Sequence, residues 1–470
     1  MTRTRLAVVL AGVVALSTTA RAQVGAQSAP MTLTLDQALQ YALDHYPTVR
    51  AALEQVNAST ANVSVAKAAY LPRFDSVWQT NRATTNNIFG QLLPQSVIPS
   101  ISGPVLPSAS GQSVWGTAAG GLLSWEPVDF GLRSALVREA EAGVVRARAE
   151  EGLTRLAVQK AVGDAFLAVA SAQQTLAAAD ADVQRREVLA RAAHTLVDNQ
   201  LRPGAEASRA DAELAAARTR GIQARAAVTL AQATLAQTLG IPDGPIGVST
   251  ARLLDNVVAT TPAAVPLPPH PLVESEQAAV DLARSREAVL SKADRPRLYL
   301  QSSVSARGSG ANTDGAFDGG ADGLGFERAN WAAGVQVVFP NLFDFASVRA
   351  RRAAAGALTR AETARYDEAV LTVTSQQRTA AAVVDAARAI AENTPIQLTA
   401  AKQSEAQARA RYDAGLAGIS EVAEAQNLLA GAEYQDAAAR IDVWRALLAR
   451  AAAQGSLASF VDVLRASGVR

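Results

Sequence analysis

Of the 470 residues 49% are hydrophobic, yet aromatics make up only 5% and methionines number only 2. Alanine dominates, which suits long helices packed closely on small side chains and argues against a conventional core rich in Leu, Ile and Phe. With 44 basic and 43 acidic residues the formal charge is +1, so no strong field points to nucleic acid or an anionic membrane surface, and the absence of Cys excludes disulfides, thiolate metal sites and a lipoprotein anchor.

Residues 1–22 read as a secretory signal peptide: Arg3 and Arg5, an apolar run from Leu6 to Leu16, then Ala20-Arg21-Ala22 as a cleavage pattern before Gln23. The run is too short to span a bilayer, which needs ~20 apolar residues. No later segment is long and apolar enough for a transmembrane helix. Membrane insertion of an exported chain of this kind must therefore use strands.

Residues 23–239 are expected to form one structural repeat. A helical pattern over 45–69 is stopped by Pro72. Alternation follows, with Phe74, Ser76, Trp78 and Thr80 on one face, and a return strand runs from about Trp115 to Trp125, so a β-hairpin is expected over about 70–126. A loop rich in Gly, Pro, Ser and Asn (83–113) joins the strands and is expected to face solvent, almost free of folding constraint. The helical pattern then runs unbroken over 130–198, roughly 100 Å at about 1.5 Å per residue, and returns over 204–239. A Pro- and Gly-rich linker, 240–269, leads to the second repeat.

Residues 270–470 repeat the order: a helix, a hairpin over about 296–340 with Trp331 to Phe339 as its return strand, a long helix over 345–412, a return helix over 419–454 and a C-terminal tail. Pro47 and Pro72 recur as Pro271 and Pro296, 224 positions on, while Asp129-Phe130 recurs as Asp344-Phe345 and QLRPGAEASRADAEL (200–214) as GLAGISEVAEAQNLL (415–429), both 215 positions on. The first copy therefore carries 9 extra residues, which fall in its hairpin loop. Return helix and starting helix, stacked end to end, would nearly match each long helix.

On the aligned turns, the Pro-Val-Asp-Phe-Gly (127–131) and Leu-Phe-Asp-Phe (342–345) helix starts and the duplication, the mature chain resembles TolC-type outer-membrane efflux proteins. The resemblance implies a mainly α fold with a β-barrel part: a homotrimer in which two hairpins per protomer build a twelve-stranded barrel in outer-membrane lipid. The helices would continue it as a hollow periplasmic barrel that docks on a periplasmic adaptor and an inner-membrane transporter. It implies a channel of a tripartite efflux or type I secretion system, without catalytic residues, cofactor, metal or nucleic-acid partner. It further implies that the turn at 412–424 is the periplasmic tip, with Glu421 and Glu424 at the pore constriction and Tyr412, Glu206, Gly415 and Gly418 in the tip network. Glu421 and Glu424, three apart, share a helix face, and three-fold symmetry would gather six carboxylates. Ala417 departs from the pattern, since some members carry there an Arg that ties the tip shut.

Blander readings stand beside these. The strands fit a half-buried hairpin of a soluble domain, Glu421 and Glu424 fit acids that favour a helix start, and the chain as a whole fits an exported coiled-coil adaptor or structural protein. His45, His194 and His270 show no metal-ligand spacing and read as exposed helix or linker residues. No nucleophile elbow, P-loop or Rossmann fingerprint is present. If the alternating face meets lipid, Val335→Arg or Val337→Arg near mid-strand should cost about 2 to 4 kcal/mol. Loss of the assembled species in membrane extracts is the expected outcome, and normal assembly of both variants would rule the lipid contact out.

Overall fold

The computed structural model describes residues 31–88, 90–99, 105–241, 246–249, 269–314, 316, 319–341 and 343–466; the signal peptide and most of the linker read from the sequence lie outside them. Two helices dominate, α3 (Leu132–Asp198) and α6 (Phe345–Asp413), of 67 and 69 residues. Each turns into a return helix, α4 (Gly204–Leu239) and α7 (Ile419–Ala453). Shorter helices, α2 (Pro47–Ala68) and α5 (Pro271–Leu290), run up to the two hairpins. No described helix is long and apolar enough to cross a membrane.

The start of α2 meets the end of α4, and the start of α5 meets the end of α7, through one recurring joint. Pro47 and Pro271 occupy first helical turns, where their missing N–H groups cost nothing. Left-handed Gly240 and Gly455 close the return helices against Tyr46-Pro47 and His270-Pro271. A Cβ on Gly455 would lie 2.8 Å from Pro271 Cδ, so only glycine fits this approach. His270 is half-buried at the second joint rather than exposed: its Nδ1 accepts from the Leu272 N–H at 3.1 Å and its Nε2–H donates to the Ala452 carbonyl at 3.2 Å. Burial holds its pKa below the usual histidine value against that second bond, in keeping with a neutral ring.

Around mid-length the helices thicken into a belt that the sequence reading did not foresee. Helix α1 (Leu35–His45) opens on a capping box between Thr34 and Gln37, and α8 (Ala458–Ala466) follows α7. Strand β1 (Met31–Leu33) pairs in parallel with β4 (Ile246–Val248), drawing part of the linker into the fold. Leu35, Phe166, Leu235, Trp444 and Phe460 are all buried in this core, with Trp444 and Phe460 edge to face at 6.2 Å. Nearer the tip α3, α4 and α7 meet through charge. Arg186, 1% exposed, donates to Asp182 at 3.0 Å, Glu213 at 2.8 Å and Asn427 at 2.8 Å. Arg220 also reaches Asp182, at 2.9 Å, and Arg185 bridges α3 to Glu433 of α7 at 2.7 Å.

Strands β2 (Arg73–Thr84), β3 (Ser113–Val128), β5 (Arg297–Ser309) and β6 (Arg328–Val338) form one antiparallel sheet in the order β2-β3-β5-β6. Its register sorts the faces. Phe74 lies opposite Leu123, Val304 opposite Trp331 and Leu300 opposite Val335, all on one exposed apolar face. The other face carries Asp75, Gln79, Asn81, Gln301, Ser303 and Asn330. The first hairpin loop departs from expectation, since it folds over this polar face: Leu93 N–H donates to Gln79 Oε1 at 2.9 Å, and Val97 and Ile98 are buried.

Asp129 and Asp344 do the same task at the two strand-to-helix corners. Buried Asp129 accepts the backbone N–H groups of Gly131 and Arg133 and the side chain of buried Arg133 at 3.0 Å, while Arg133 stacks on Tyr70 at 4.7 Å. Exposed Asp344 caps α6 through the Ser347 N–H at 3.3 Å. Burial raises the Asp129 pKa, but the N–H donors and the guanidinium outweigh it, so the carboxyl lies below its usual range. Its stabilising effect is present above the unfolded value and lost as pH falls through the folded one. Asp129→Ala strands Arg133 and should cost about 3 to 5 kcal/mol, whereas Asp344→Ala removes a cap worth about 1 kcal/mol. Denaturation midpoints of the two variants check the contrast; equal losses would contradict it.

Candidate functional site

The two long helices end in the same geometry. Leu201 N–H closes on the Leu196 carbonyl and Leu416 N–H on the Arg411 carbonyl, both at 2.8 Å, a Schellman closure whose left-handed residues are Gln200 (φ 58°) and Gly415 (φ 73°). Gly418, expected to share in the reversal as a glycine, instead sits in extended backbone (φ −90°, ψ 165°) as the N-cap of α7, a conformation open to other residues; Pro203 holds the matching place before α4. The tight turn thus rests on Gly415 alone. Leu201 and Leu416 stand out from the turns, 68% and 73% exposed.

Behind the turns Tyr412, Ile419 and Val422 of the second copy pack on Ala190, Ala193 and Ala210 of the first. Tyr412 is 3% exposed and its hydroxyl donates to Glu206 Oε2 at 3.2 Å, 206 residues away in sequence. Burial first, then the charge and hydrogen bond of Glu206, raise the Tyr412 pKa, so the hydroxyl keeps its proton and remains a donor. Arg202 completes the cluster. It lies 3.7 Å from Glu206, stacks over the Tyr412 ring at 5.2 Å and reaches the carbonyls of Tyr412 and Ala417 at 3.5 and 3.3 Å.

Sequence reasoning looked for an arginine at position 417 and found Ala. The structure supplies one from the other turn, and the signal was present, because Arg202 stands four residues before Glu206. Arg411 was missed as well; it pairs with Glu421 at 3.2 Å. Glu421 and Glu424 are both exposed on α7, next to buried Val422, Ala423 and Ala425. Glu421 is the third residue of that helix and Glu424 the sixth, so the macrodipole, which acts within the first turn, accounts for Glu421 but not for Glu424. Among the described residues Glu424 makes no ion pair. No three His, Cys, Asp or Glu side chains among the described residues stand close enough to hold a metal.

Two long helical hairpins, a mid-length belt and a four-stranded sheet with one apolar face define the chain's relatives. The family described as outer membrane efflux protein matches residues 38–241 and 267–456. The chain belongs to this family. Protein CyaE of Bordetella pertussis is 28% identical over 404 residues, covering 84% of this chain and 78% of the relative. The fold is similar to that of the outer membrane protein VceC from Vibrio cholerae (TM-score 0.71, 17% identity, 90% of this chain and 96% of that one). It is also similar to the Campylobacter jejuni CmeC outer membrane channel (TM-score 0.71, 14% identity, 95% and 94%). This efflux-family protein is an outer-membrane channel for efflux or type I secretion, extending into the periplasm, and not an enzyme.

The two turns make a matched test. Gly415→Ala forces a side chain into the left-handed region and should destabilise by about 1 kcal/mol, while Gln200→Gly relieves the same strain and should stabilise by about 0.5 to 1 kcal/mol. Hydrogen exchange of the tip amides should shift in opposite directions. A shift of one sign in both would show that the turns are not equivalent.

Proposed function

We propose that three copies close into one pore whose periplasmic end is held shut by the Tyr412–Glu206–Arg202 cluster and lined by Glu421 and Glu424. The observation that carries the closed assembly is the pair of free sheet edges. Among the described residues strands β2 and β6 each lack a neighbour on one side, although the sheet's apolar face suits lipid. Open edges do not occur in hydrocarbon, because each unpaired backbone group costs several kcal/mol. Pairing β6 of one copy with β2 of the next satisfies both, and the family resemblance supports three copies of four strands. A periplasmic adaptor and an inner-membrane transporter complete the path on the same grounds.

At the tip, Arg202 and Glu206 of the first helical hairpin clasp Tyr412 and the 417 carbonyl of the second. Opening therefore has to part the two hairpins and expose Tyr412. The acids of α7 set what the narrow end holds. Arg411 offsets part of the Glu421 charge, so Glu424 is the stronger cation ligand of the two. A ring of such carboxylates attracts divalent ions more strongly than monovalent ones and lets them linger.

In planar bilayers the channel should be cation-selective and blocked by divalent ions from the periplasmic side. Glu424→Gln removes three carboxylates from the ring, one per copy, and should weaken that block at least about tenfold, since about 1.4 kcal/mol corresponds to a single charge-assisted contact. Glu421→Gln should weaken it less, and Arg411→Ala should strengthen it. Arg202→Ala should raise the resting conductance with block retained. If block is unchanged in the Glu421→Gln, Glu424→Gln double variant, the acids serve only as helix-start residues. If Arg202→Ala leaves the resting current unaltered, the clasp is not the latch.

A further inference from the structure

The first hairpin loop folds back onto the sheet. Two adjacent glycines of β3 show on which face it lies. An added Cβ on Gly121 would meet the Phe74 ring at 2.7 Å, on the apolar face; an added Cβ on Gly120 would meet Ile98 at 3.0 Å, on the opposite face. Successive side chains of a strand point to opposite faces, so Ile98 lies on the polar face. In an outer-membrane channel the apolar face meets lipid, which leaves the polar face to the pore.

Further contacts hold the loop there. Asn81 donates to the Gln91 carbonyl, Leu93 N–H donates to Gln79, and Gln95 Oε1 accepts the N–H groups of Val97 and Ile98 at 2.7 Å each. Ser96, Val97 and Pro99 line a cavity of about 490 Å³ with Gln301, Ser303 and Gln336, so the segment arches from β2 across to β5 and β6.

Composition agrees with this placement. From Ala83 to Ser113 the sequence has no Asp, Glu, Lys or Arg, whereas the second hairpin loop carries Asp314, Asp322 and Glu327. The uncharged loop buries Val97 and Ile98 against the sheet without having to bury a charge.

The geometry points to a second constriction: residues 90–99 of each copy fold into the barrel and form a neutral, partly apolar collar near its outer mouth, at the end of the pore opposite the acidic tip. The collar narrows the exit by bulk and by poor wetting, and it favours uncharged or amphiphilic solutes over strongly hydrated ions. It rests on the channel reading and on the closed barrel but not on the gate, and its test avoids the tip.

Because the chain has no Cys, single thiols report cleanly. Ser96→Cys should react with a long polyethylene glycol maleimide on intact cells at least about tenfold more slowly than exposed Asp322→Cys, since a bulky reagent must enter the mouth. Adding Gly120→Val, whose Cβ would meet Ile98 and the Val304 carbonyl of the neighbouring strand, both at 3.0 Å, should lift the loop, because the Ile98 side chain yields more easily than the ladder, and bring the two rates together. In planar bilayers neutral polymers added from the outer side should lower the current only below a size limit, and that limit should rise in Gly120→Val. Slow labelling that Gly120→Val relieves supports the collar whatever divalent ions do at the tip. Equal rates at positions 96 and 322 in the otherwise unaltered chain, or a polymer limit that Gly120→Val leaves in place, would overturn it.

Discussion

In hydrocarbon a backbone N–H or C=O has no water to turn to, and each one left unpaired costs several kcal/mol. β2 and β6 present a row of such groups on the outer edges of the sheet. Among the described residues nothing covers them: the helices leave the sheet at the Asp129 and Asp344 corners, and the other two strands, β1 and β4, pair with each other in the mid-length belt. The need to satisfy those edges makes the chain a fraction of a barrel, and it fixes which face of the sheet meets lipid. It also gives the corners their importance. Where strand becomes helix the backbone changes partner, and the two aspartates supply acceptors for N–H groups that neither ladder nor helix can use.

Below the sheet a different problem arises. Helices packed on alanine approach closely, but an Ala-on-Ala surface says little about axial register, because a shift of one turn, about 5.4 Å, offers nearly the same contacts. The buried charges around Arg186 remove that ambiguity. A slip would leave the Asp182–Arg186 pair within α3 but part Arg186 from Glu213 and Asn427 and Asp182 from Arg220, and buried charges that lose partners cost far more than the pairing gains. The aromatic belt at mid-length fixes register in a second way, through Trp444 and Phe460. Between them the two devices let long, weakly featured helices pack in one arrangement.

The fold class was legible in the sequence because its signals are long and repeated. Unbroken helical periodicity, two alternating stretches and paired prolines each appear twice. The belt was not legible on those terms. α1, α8 and the β1–β4 pair have no counterpart among the described residues of the other copy, although the Thr34–Gln37 capping box marked α1. The first hairpin loop was misjudged because Gly, Pro and Ser content was weighed and absence of charge was not. At the tip, Tyr412, Glu206, Glu421 and Glu424 were singled out by position, and the structure brings Tyr412 and Glu206 together. Arg202 was missed although its i, i+4 spacing to Glu206 marked it, because its contacts with Tyr412 and the 417 carbonyl cross between the two halves and leave no local pattern. Gly418 was overread: glycine there does not require positive φ.

The joints at Gly240 and Gly455 carry a mechanical consequence. A continuous helix transmits both thrust and torque along its axis, because its covalent backbone and hydrogen-bond ladder resist each. Helices that merely abut, end to end through a glycine and an X-Pro step, transmit thrust but can swivel against each other. Each half of the chain pairs one continuous strut, α3 or α6, with one jointed strut; α6 runs on through Pro395, where one bond of its ladder is missing. Unwinding at the tip can then be absorbed as rotation at the joints, while the continuous struts keep the distance from tip to membrane constant and the wall of the barrel above stays unstrained.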